Sequence, residues 1–163
     1  MSRSFRTILA MTVTVLFMLP AVVAAEKAFD PCSLLTPAEI QAVVAKTVKA
    51  GTPKVESNPL AGSNCTYVVG DYGSLNVLSK PLQRGESPEL FKAQFAKMKM
   101  KPTDLAGVGN AAFFTSPGFG MVQLHAFKSS KYILITLLVP GLEEMAVRPL
   151  AAKLMKTVVT RIN

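Results

Sequence analysis

The feature of this sequence that most restricts its fold is a single pair of cysteines, Cys32 and Cys65. The two residues lack the Cys-x-x-Cys spacing of redox-active thiols, and no histidine lies beside either of them. In an exported chain, a small and even number of cysteines is typical of a structural disulfide. We therefore predict a Cys32–Cys65 disulfide, worth about 3–4 kcal/mol in the chain-entropy model. A reactive thiol pair is the alternative interpretation.

Residues 1–25 have the pattern of a signal peptide. Arg3 and Arg6 precede an uncharged apolar run, and the small residues at its end, Val23 and Ala25 among them, suit cleavage after Ala25. We predict that residues 26–163 form one exported domain, periplasmic or secreted and soluble, with no stable membrane span after cleavage. The alternative is retention as an anchor, because residues 7–25 nearly reach the ~20 residues that a spanning helix needs.

The chain is basic, with a formal net charge of +8. Its lysines are scattered through every segment, whereas nucleic-acid-binding proteins usually cluster Lys and Arg and interleave them with aromatic residues. The sequence therefore disfavours nucleic acid as a partner. Attachment to an anionic polymer stays open, because a positive surface attracts such polymers.

Capping residues predict where the first two helices begin. Thr36 and Glu39 have the spacing of a capping box, and Pro37 occupies the first helical position, where its missing N–H costs nothing. Ser87 followed by Pro88 repeats the cap-plus-proline signal for a second helix.

The remaining pattern predicts five strands and a terminal helix. Alternating apolar residues on both sides of a Gly-Asp-Tyr-Gly turn indicate a hairpin, three more strands follow the second helix, and Pro149 opens the main body of the last helix. The fold class is therefore α+β, an antiparallel sheet of about five strands packed against helices in the order α-β-β-α-β-β-β-α. The predicted core includes Ile40, Val43, Phe91, Phe95, Ile135, Leu137, Leu154 and Val158.

The sequence contains no recognisable catalytic or metal site. Its one histidine, His125, lies on a predicted strand without a Gly-x-Ser-x-Gly setting and is interpreted as structural. One histidine, two bridged cysteines and scattered carboxylates form no ligand cluster, so we predict no metal. The segment from Gly107 to Ala112 satisfies a relaxed dinucleotide motif without the preceding strand and following helix, so we predict a tight turn and no cofactor.

Three phenylalanines, Phe113, Phe114 and Phe119, are candidate partner-binding residues. They lie in a stretch from Gly107 to Gly120 that is rich in glycine and almost uncharged, which is typical of mobile loops with apolar surface that a partner could cover. The alternative is that the rings fill the core, with Phe119 folding back onto the sheet.

Short motifs along the chain resemble, in order and spacing, the exported bacterial envelope family described as domain of unknown function 3558. The motifs are Asp30-Pro31-Cys32, Leu34-Leu35, Thr36-x-x-Glu39, Cys65-x-Tyr67 and Gly107-Val108-Gly109-x-x-Ala112. The resemblance implies a Cys32–Cys65 disulfide and a small α+β domain, and it supplies no catalytic residues. Many family members are lipoproteins, whereas this chain lacks the cysteine that would carry the lipid.

Three functions stay open. The lack of a reactive constellation in a well-specified scaffold favours a non-catalytic binding module for an unknown protein or small ligand of the cell envelope. An enzyme with an unrecognised site is one alternative, favoured if a pocket brings His125 within hydrogen-bond reach of a carboxylate and a serine. Electrostatic binding of an anionic envelope polymer is the other, favoured if the lysines gather on one face.

Overall fold

The computed structural model describes residues 30–55, 58 and 60–162. The predicted signal peptide, and its alternative as a retained anchor, lie outside these residues. Among the helices that are described, none combines the length and the apolar character needed to cross a bilayer.

Three helices and seven strands make up the described chain. The helices are α1 (Pro37–Val44), α2 (Pro88–Lys97) and α3 (Glu144–Thr160), and a 3-10 turn, Pro31–Leu34, precedes α1. The strands are β1 (Thr52–Val55), β2 (Ser63–Val69), β3 (Gly73–Pro81), β4 (Thr103–Asp104), β5 (Ala111–Gly118), β6 (Met121–Lys128) and β7 (Lys131–Leu138).

The first two helices begin where the capping residues predict. The Glu39 N–H donates to the Thr36 hydroxyl oxygen at 3.3 Å, and the Thr36 N–H donates to the Glu39 carboxylate at 2.8 Å, which completes the capping box. At α2 the Leu90 N–H donates to the Ser87 hydroxyl oxygen at 3.2 Å. Each cap satisfies a donor that the first helical turn leaves without an intrahelical partner.

Pro149 does not open the terminal helix, contrary to the prediction. It lies inside α3, because Ala146 and Val147 already donate their N–H groups to the Glu143 carbonyl oxygen. Burial of Val147 holds this first turn against the sheet, and the N–H that Pro149 lacks would have been directed at the carbonyl of the exposed Met145.

The strands form one antiparallel sheet in the order β1-β2-β3-β7-β6-β5-β4. The predicted fold class, α+β with an antiparallel sheet, is confirmed, but the predicted count of five strands is wrong. The two additional strands are short and lie at the edges: β1 has 4 residues and β4 has 2. Edge strands this short, with every residue exposed, carry no apolar alternation, so the sequence offered only a weak indication of an edge strand near Lys54, where β1 lies, and none of β4.

The sheet is covered on both faces. The 3-10 turn, α1 and α3 cover one face, where the main core contains buried residues from all three together with β2, β3, β5, β6 and β7. Helix α2 packs on the other face, where Phe91 and Phe95 lie against Phe113, Phe127 and Tyr132. Of the predicted core residues, Ile40, Ile135, Leu137, Leu154 and Val158 are buried, and Val43, Phe91 and Phe95 are half-buried.

The predicted Cys32–Cys65 disulfide is confirmed and joins the 3-10 turn to β2. Beside it, the Tyr67 hydroxyl donates to the Leu35 carbonyl oxygen at 2.6 Å. Burial of its ring raises the pKa of Tyr67 above 10.0, and the negative charges of Asp30 and Glu39 raise it further. The segment before α1 is thus fixed to the sheet by one covalent bond and one buried hydrogen bond.

Candidate functional site

Three loops meet at one end of the sheet. They are the β2–β3 turn (70–72), the β5–β6 turn (119–120) and the β7–α3 loop (139–143). A Cβ placed on Gly73, at the start of β3, would lie 2.5 Å from Cδ of Pro140, so only glycine fits where the first and third loops touch. A Cβ placed on Gly120 would lie 3.3 Å from the Leu142 carbonyl oxygen, which brings the second loop against the third.

Large apolar side chains are exposed on these loops and on the first turn of α3. Phe119 is 98% exposed, Tyr72 87%, Met145 73% and Leu142 36%. We name these four residues the loop end. Single exposed apolar side chains are ordinary on protein surfaces, whereas exposed apolar side chains that form one large patch are typical of interaction surfaces.

Phe119 also has an unfavourable backbone conformation. Gly118 pairs with Met121, so Phe119 and Gly120 are the two central residues of the hairpin turn, with φ of 56° and 71°. Positive φ at both positions defines a type I′ turn, in which Asn-Gly and Gly-Gly are the favoured sequences. A left-handed phenylalanine costs about 1–2 kcal/mol. Because its ring is in water, no packing offsets that cost.

Phe113 and Phe114 do not lie beside Phe119. They are consecutive residues of β5, and successive side chains of a strand point to opposite faces of the sheet. Phe113 is therefore buried under α2, and Phe114 is buried on the other face, where the Arg148 guanidinium lies 5.3 Å from the ring centre. The predicted grouping of the three phenylalanines does not form. Core filling describes Phe113 and Phe114, whereas Phe119 does not fold back onto the sheet.

His125 belongs to a chain of hydrogen bonds buried beneath α2. The Thr115 hydroxyl lies 2.8 Å from Nε2 of His125, and the Tyr132 hydroxyl lies 2.7 Å from Nδ1. Thr115 donates its one hydrogen to Oε1 of Gln123 at 3.2 Å, so it accepts from Nε2–H of His125. Nδ1 then has no hydrogen and accepts from Tyr132. The direction is Tyr132 to His125 to Thr115 to Gln123, with a neutral imidazole.

The surroundings of this chain keep His125 neutral. Its ring is stacked on that of Phe113 and tilted against that of Phe95, each with centroids 4.6 Å apart. Burial lowers the pKa of His125 from 6.5 to about 4, and burial likewise raises the pKa of Tyr132 above 10.0, with a further contribution from the charge of Glu86. Both groups therefore keep their neutral forms at neutral pH.

The buried chain is not arranged for nucleophilic catalysis. The Thr115 side chain is inaccessible to solvent, and its hydrogen points at an amide oxygen rather than at the imidazole. The hydrogen-bond partners of His125 among the described residues are Thr115 and Tyr132, so it is bonded to neither the carboxylate nor the serine that would favour an enzyme. Across the described part of the chain, no three His, Cys, Asp or Glu residues are grouped as metal ligands.

The segment from Gly107 to Ala112 is a turn that leads into β5. Gly107 and Gly109 have φ of 74° and 60°, which glycine adopts without steric cost. The segment is followed by a strand rather than by the helix whose amino terminus would hold a pyrophosphate.

A run of alternating lysine and methionine, Lys97-Met98-Lys99-Met100-Lys101, connects α2 to β4. All three lysines are exposed, Met98 is 56% exposed and Met100 is half-buried. Within residues 30–55, 58 and 60–162, no ion pair is found for these lysines. We name these five residues the lysine segment.

Comparison with known proteins gives no match, since no family model, no curated protein and no solved structure corresponds to this chain. The resemblance to domain of unknown function 3558 therefore stays a prediction. The candidate site rests on the geometry of the chain itself.

Sequence reasoning missed Tyr72, Leu142 and Met145. The available signal was an aromatic residue at the centre of a Gly-Asp-Tyr-Gly turn, where small polar residues are usual. Leu142 and Met145 had no comparable signal, because their exposure depends on how the β7–α3 loop is held against the other two loops.

Proposed function

We propose that this protein is an exported, non-catalytic binding module of the cell envelope, and that it contacts its partner through the loop end. The observation that carries the proposal is Phe119, a phenylalanine that is almost wholly exposed in a strained left-handed turn position. Strain and apolar exposure both lower the stability of the isolated protein. A residue with both costs and no packing role points to a role in binding.

The buried hydrogen-bond chain supports a non-catalytic role. Within the described residues, no buried side-chain nitrogen or oxygen atom lacks a hydrogen-bond partner, so the polar groups beneath α2 are already satisfied. Buried polar groups whose hydrogen bonds are all made within the protein fix the packing of the core and leave no group unpaired for a substrate to bind.

The disulfide supports export, because disulfides persist in oxidising compartments outside the cytosol. We also propose that the chain is related to domain of unknown function 3558. The disulfide and the α+β fold are both what that relationship implies.

Photocrosslinking in native envelopes tests the proposal. A photoreactive phenylalanine analogue in place of Phe119 should give a discrete covalent adduct, identified by mass spectrometry. Leu60 is the matched control position, because it is an exposed apolar residue just before β2, at the opposite end of that strand from the loop end. The same adduct from both positions, or no adduct from position 119, would refute binding through the loop end.

A further inference from the structure

The lysine segment lies toward the same end of the sheet as Phe119. Strand β4 pairs antiparallel with β5, with Thr103 opposite Phe114 and Asp104 opposite Phe113. Because the two strands are antiparallel, the chain before Thr103 lies beside the part of β5 that approaches Gly118 and the turn. Lys101, two residues before Thr103, accordingly lies on the side where β5 ends at Gly118, next to Phe119. Lys97 is the last residue of α2, and Lys99 lies between Lys97 and Lys101 along the chain.

The side chains of the lysine segment suit a boundary between water and hydrocarbon, because they combine charged groups with apolar stems. Lysine stems can lie along an apolar surface while their ammonium groups reach into water, and methionine fills irregular apolar surroundings. Two contributions attach a protein to an anionic bilayer: burial of apolar surface and electrostatic attraction to the lipid phosphates. The exposed apolar residues can supply the first contribution and the lysines the second.

The same features fit a protein partner less well. Protein–protein interfaces are depleted in lysine, and the anchor residue of a protein usually enters a pocket of its partner. Here three loops and a helix turn present exposed apolar side chains at one end of the sheet, and the lysine segment leads toward the same end. A bilayer accepts several such tips at once without needing a matching pocket.

Resting on the proposed function, we infer that the partner is the surface of an anionic phospholipid bilayer. Phe119 and the other loop-end residues enter the headgroup region, and Lys97, Lys99 and Lys101 lie at the lipid phosphates. Two exposed carboxylates, Asp71 and Glu143, lie on the same loops and oppose this attraction. Glu144 has its charge balanced by Arg148, whose guanidinium lies 2.8 Å from the carboxylate.

Sedimentation of the purified protein with phospholipid vesicles tests the inference. The protein is used in the form in which it is isolated from cells. Vesicles of phosphatidylglycerol mixed with phosphatidylcholine should bind the protein, vesicles of phosphatidylcholine alone should bind it much more weakly, and high salt should reduce binding. Phe119→Asn should weaken binding about tenfold, since the ring no longer enters the lipid. Joint replacement of Lys97, Lys99 and Lys101 by Gln should weaken it at least about tenfold.

Three control variants make the result specific. Joint Lys153→Gln and Lys156→Gln replacement removes two exposed charges from α3 and should leave vesicle binding within about twofold, as should Leu60→Asn. Joint Asp71→Asn and Glu143→Gln replacement should strengthen binding. A thermal transition measured for every variant separates weaker binding from failure to fold.

The outcomes separate this inference from the proposed function. Absence of binding to phosphatidylglycerol vesicles overturns the inference, and the proposed function still stands if a protein is crosslinked from position 119. Binding that needs the lysines but ignores Phe119→Asn, and that soluble polyphosphate abolishes, also overturns it and identifies an anionic polymer as the partner. If neither vesicles nor crosslinking detects a contact, both proposals fall.

Discussion

Tyr132 donates a hydrogen bond of 2.7 Å to Nδ1 of His125, across the face of the sheet that α2 covers. The two residues lie on neighbouring strands, β7 and β6, and both are buried. Because Thr115 donates its hydrogen to Gln123, Nε2 of His125 carries the ring hydrogen and donates to Thr115, which leaves Nδ1 to accept from Tyr132. The one histidine in the sequence is thereby held neutral beneath α2.

Because His125 is buried in its neutral form, the free energy of unfolding should fall as the pH is lowered, at pH values above those at which the carboxylates titrate. The pKa of His125 is about 4 in the folded protein and 6.5 ordinarily. Between these two pH values the histidine is protonated in the unfolded chain and neutral in the folded protein. His125 should then lower the free energy of unfolding by about 1.4 kcal/mol per pH unit, or about 2 kcal/mol from pH ~6.5 to pH ~5, and this contribution of the histidine should level off below pH ~4. Above pH ~6.5 the histidine makes no contribution to pH dependence. Denaturant titrations across this range measure the slope.

The variant His125→Gln is the control, because glutamine cannot gain a proton in this range, and its profile should be flat. The carboxyl of Glu39 does not interfere. Its pKa is lowered from 4.5 to about 2, chiefly by the hydrogen bond from Arg161, so its contribution is lost between pH 4.5 and about 2, below the range from pH ~6.5 to pH ~5. A flat profile for the unmodified protein would show that His125 is protonated or solvated in the native state.

Removing the Tyr132 hydroxyl should destabilise the protein although the ring stays. In Tyr132→Phe, Nδ1 of His125 becomes a buried acceptor without a donor, at a cost of about 1–3 kcal/mol. The ring contacts should persist, since Phe91 stacks on Tyr132 with centroids 4.7 Å apart. Tyr72→Phe is the control, because that hydroxyl is exposed and its removal should cost little. Equal effects of the two substitutions, measured by denaturant unfolding, would contradict the hydrogen-bond chain.

The local features of this fold could be predicted from the sequence, whereas the features that depend on strand register could not. The Thr36–Glu39 capping box and the caps of α2 act within four residues, so their side-chain types are sufficient. The buried chain needs Thr115, His125 and Tyr132 from three strands, and only the register brings them together. In the sequence, Phe113 and Phe119 belong to the same glycine-rich stretch and cannot be distinguished. In the structure, Phe113 lies in β5 and Phe119 lies in the β5–β6 turn.

Reduction of the disulfide should loosen the segment before α1 without dissolving the sheet. In the chain-entropy model, joint Cys32→Ser and Cys65→Ser replacement lowers the free energy of unfolding by about 3–4 kcal/mol. Amides of β6 and β7 that exchange through global unfolding should accelerate by the factor that this loss predicts. The amides of residues 32–34 should accelerate more, because the released segment also opens locally, whereas the Tyr67 hydroxyl still holds the Leu35 carbonyl. Equal acceleration at residues 32–34 and in β6 and β7 would show that the disulfide acts only on the global stability and does not hold this segment locally.

Two substitutions of Phe119 should separate its strain from its side chain. Phe119→Ala removes the ring but keeps a left-handed non-glycine residue, and because the ring is 98% exposed, the free energy of unfolding should change little. Phe119→Asn places a residue that tolerates this conformation, and it should raise the free energy of unfolding by about 1 kcal/mol. Both substitutions should weaken binding to the partner, so stability and binding change independently. Thermal unfolding and binding measured on the same preparations test this. A marked loss of stability in Phe119→Ala, with binding intact, would make Phe119 a packing residue and remove it from the binding surface.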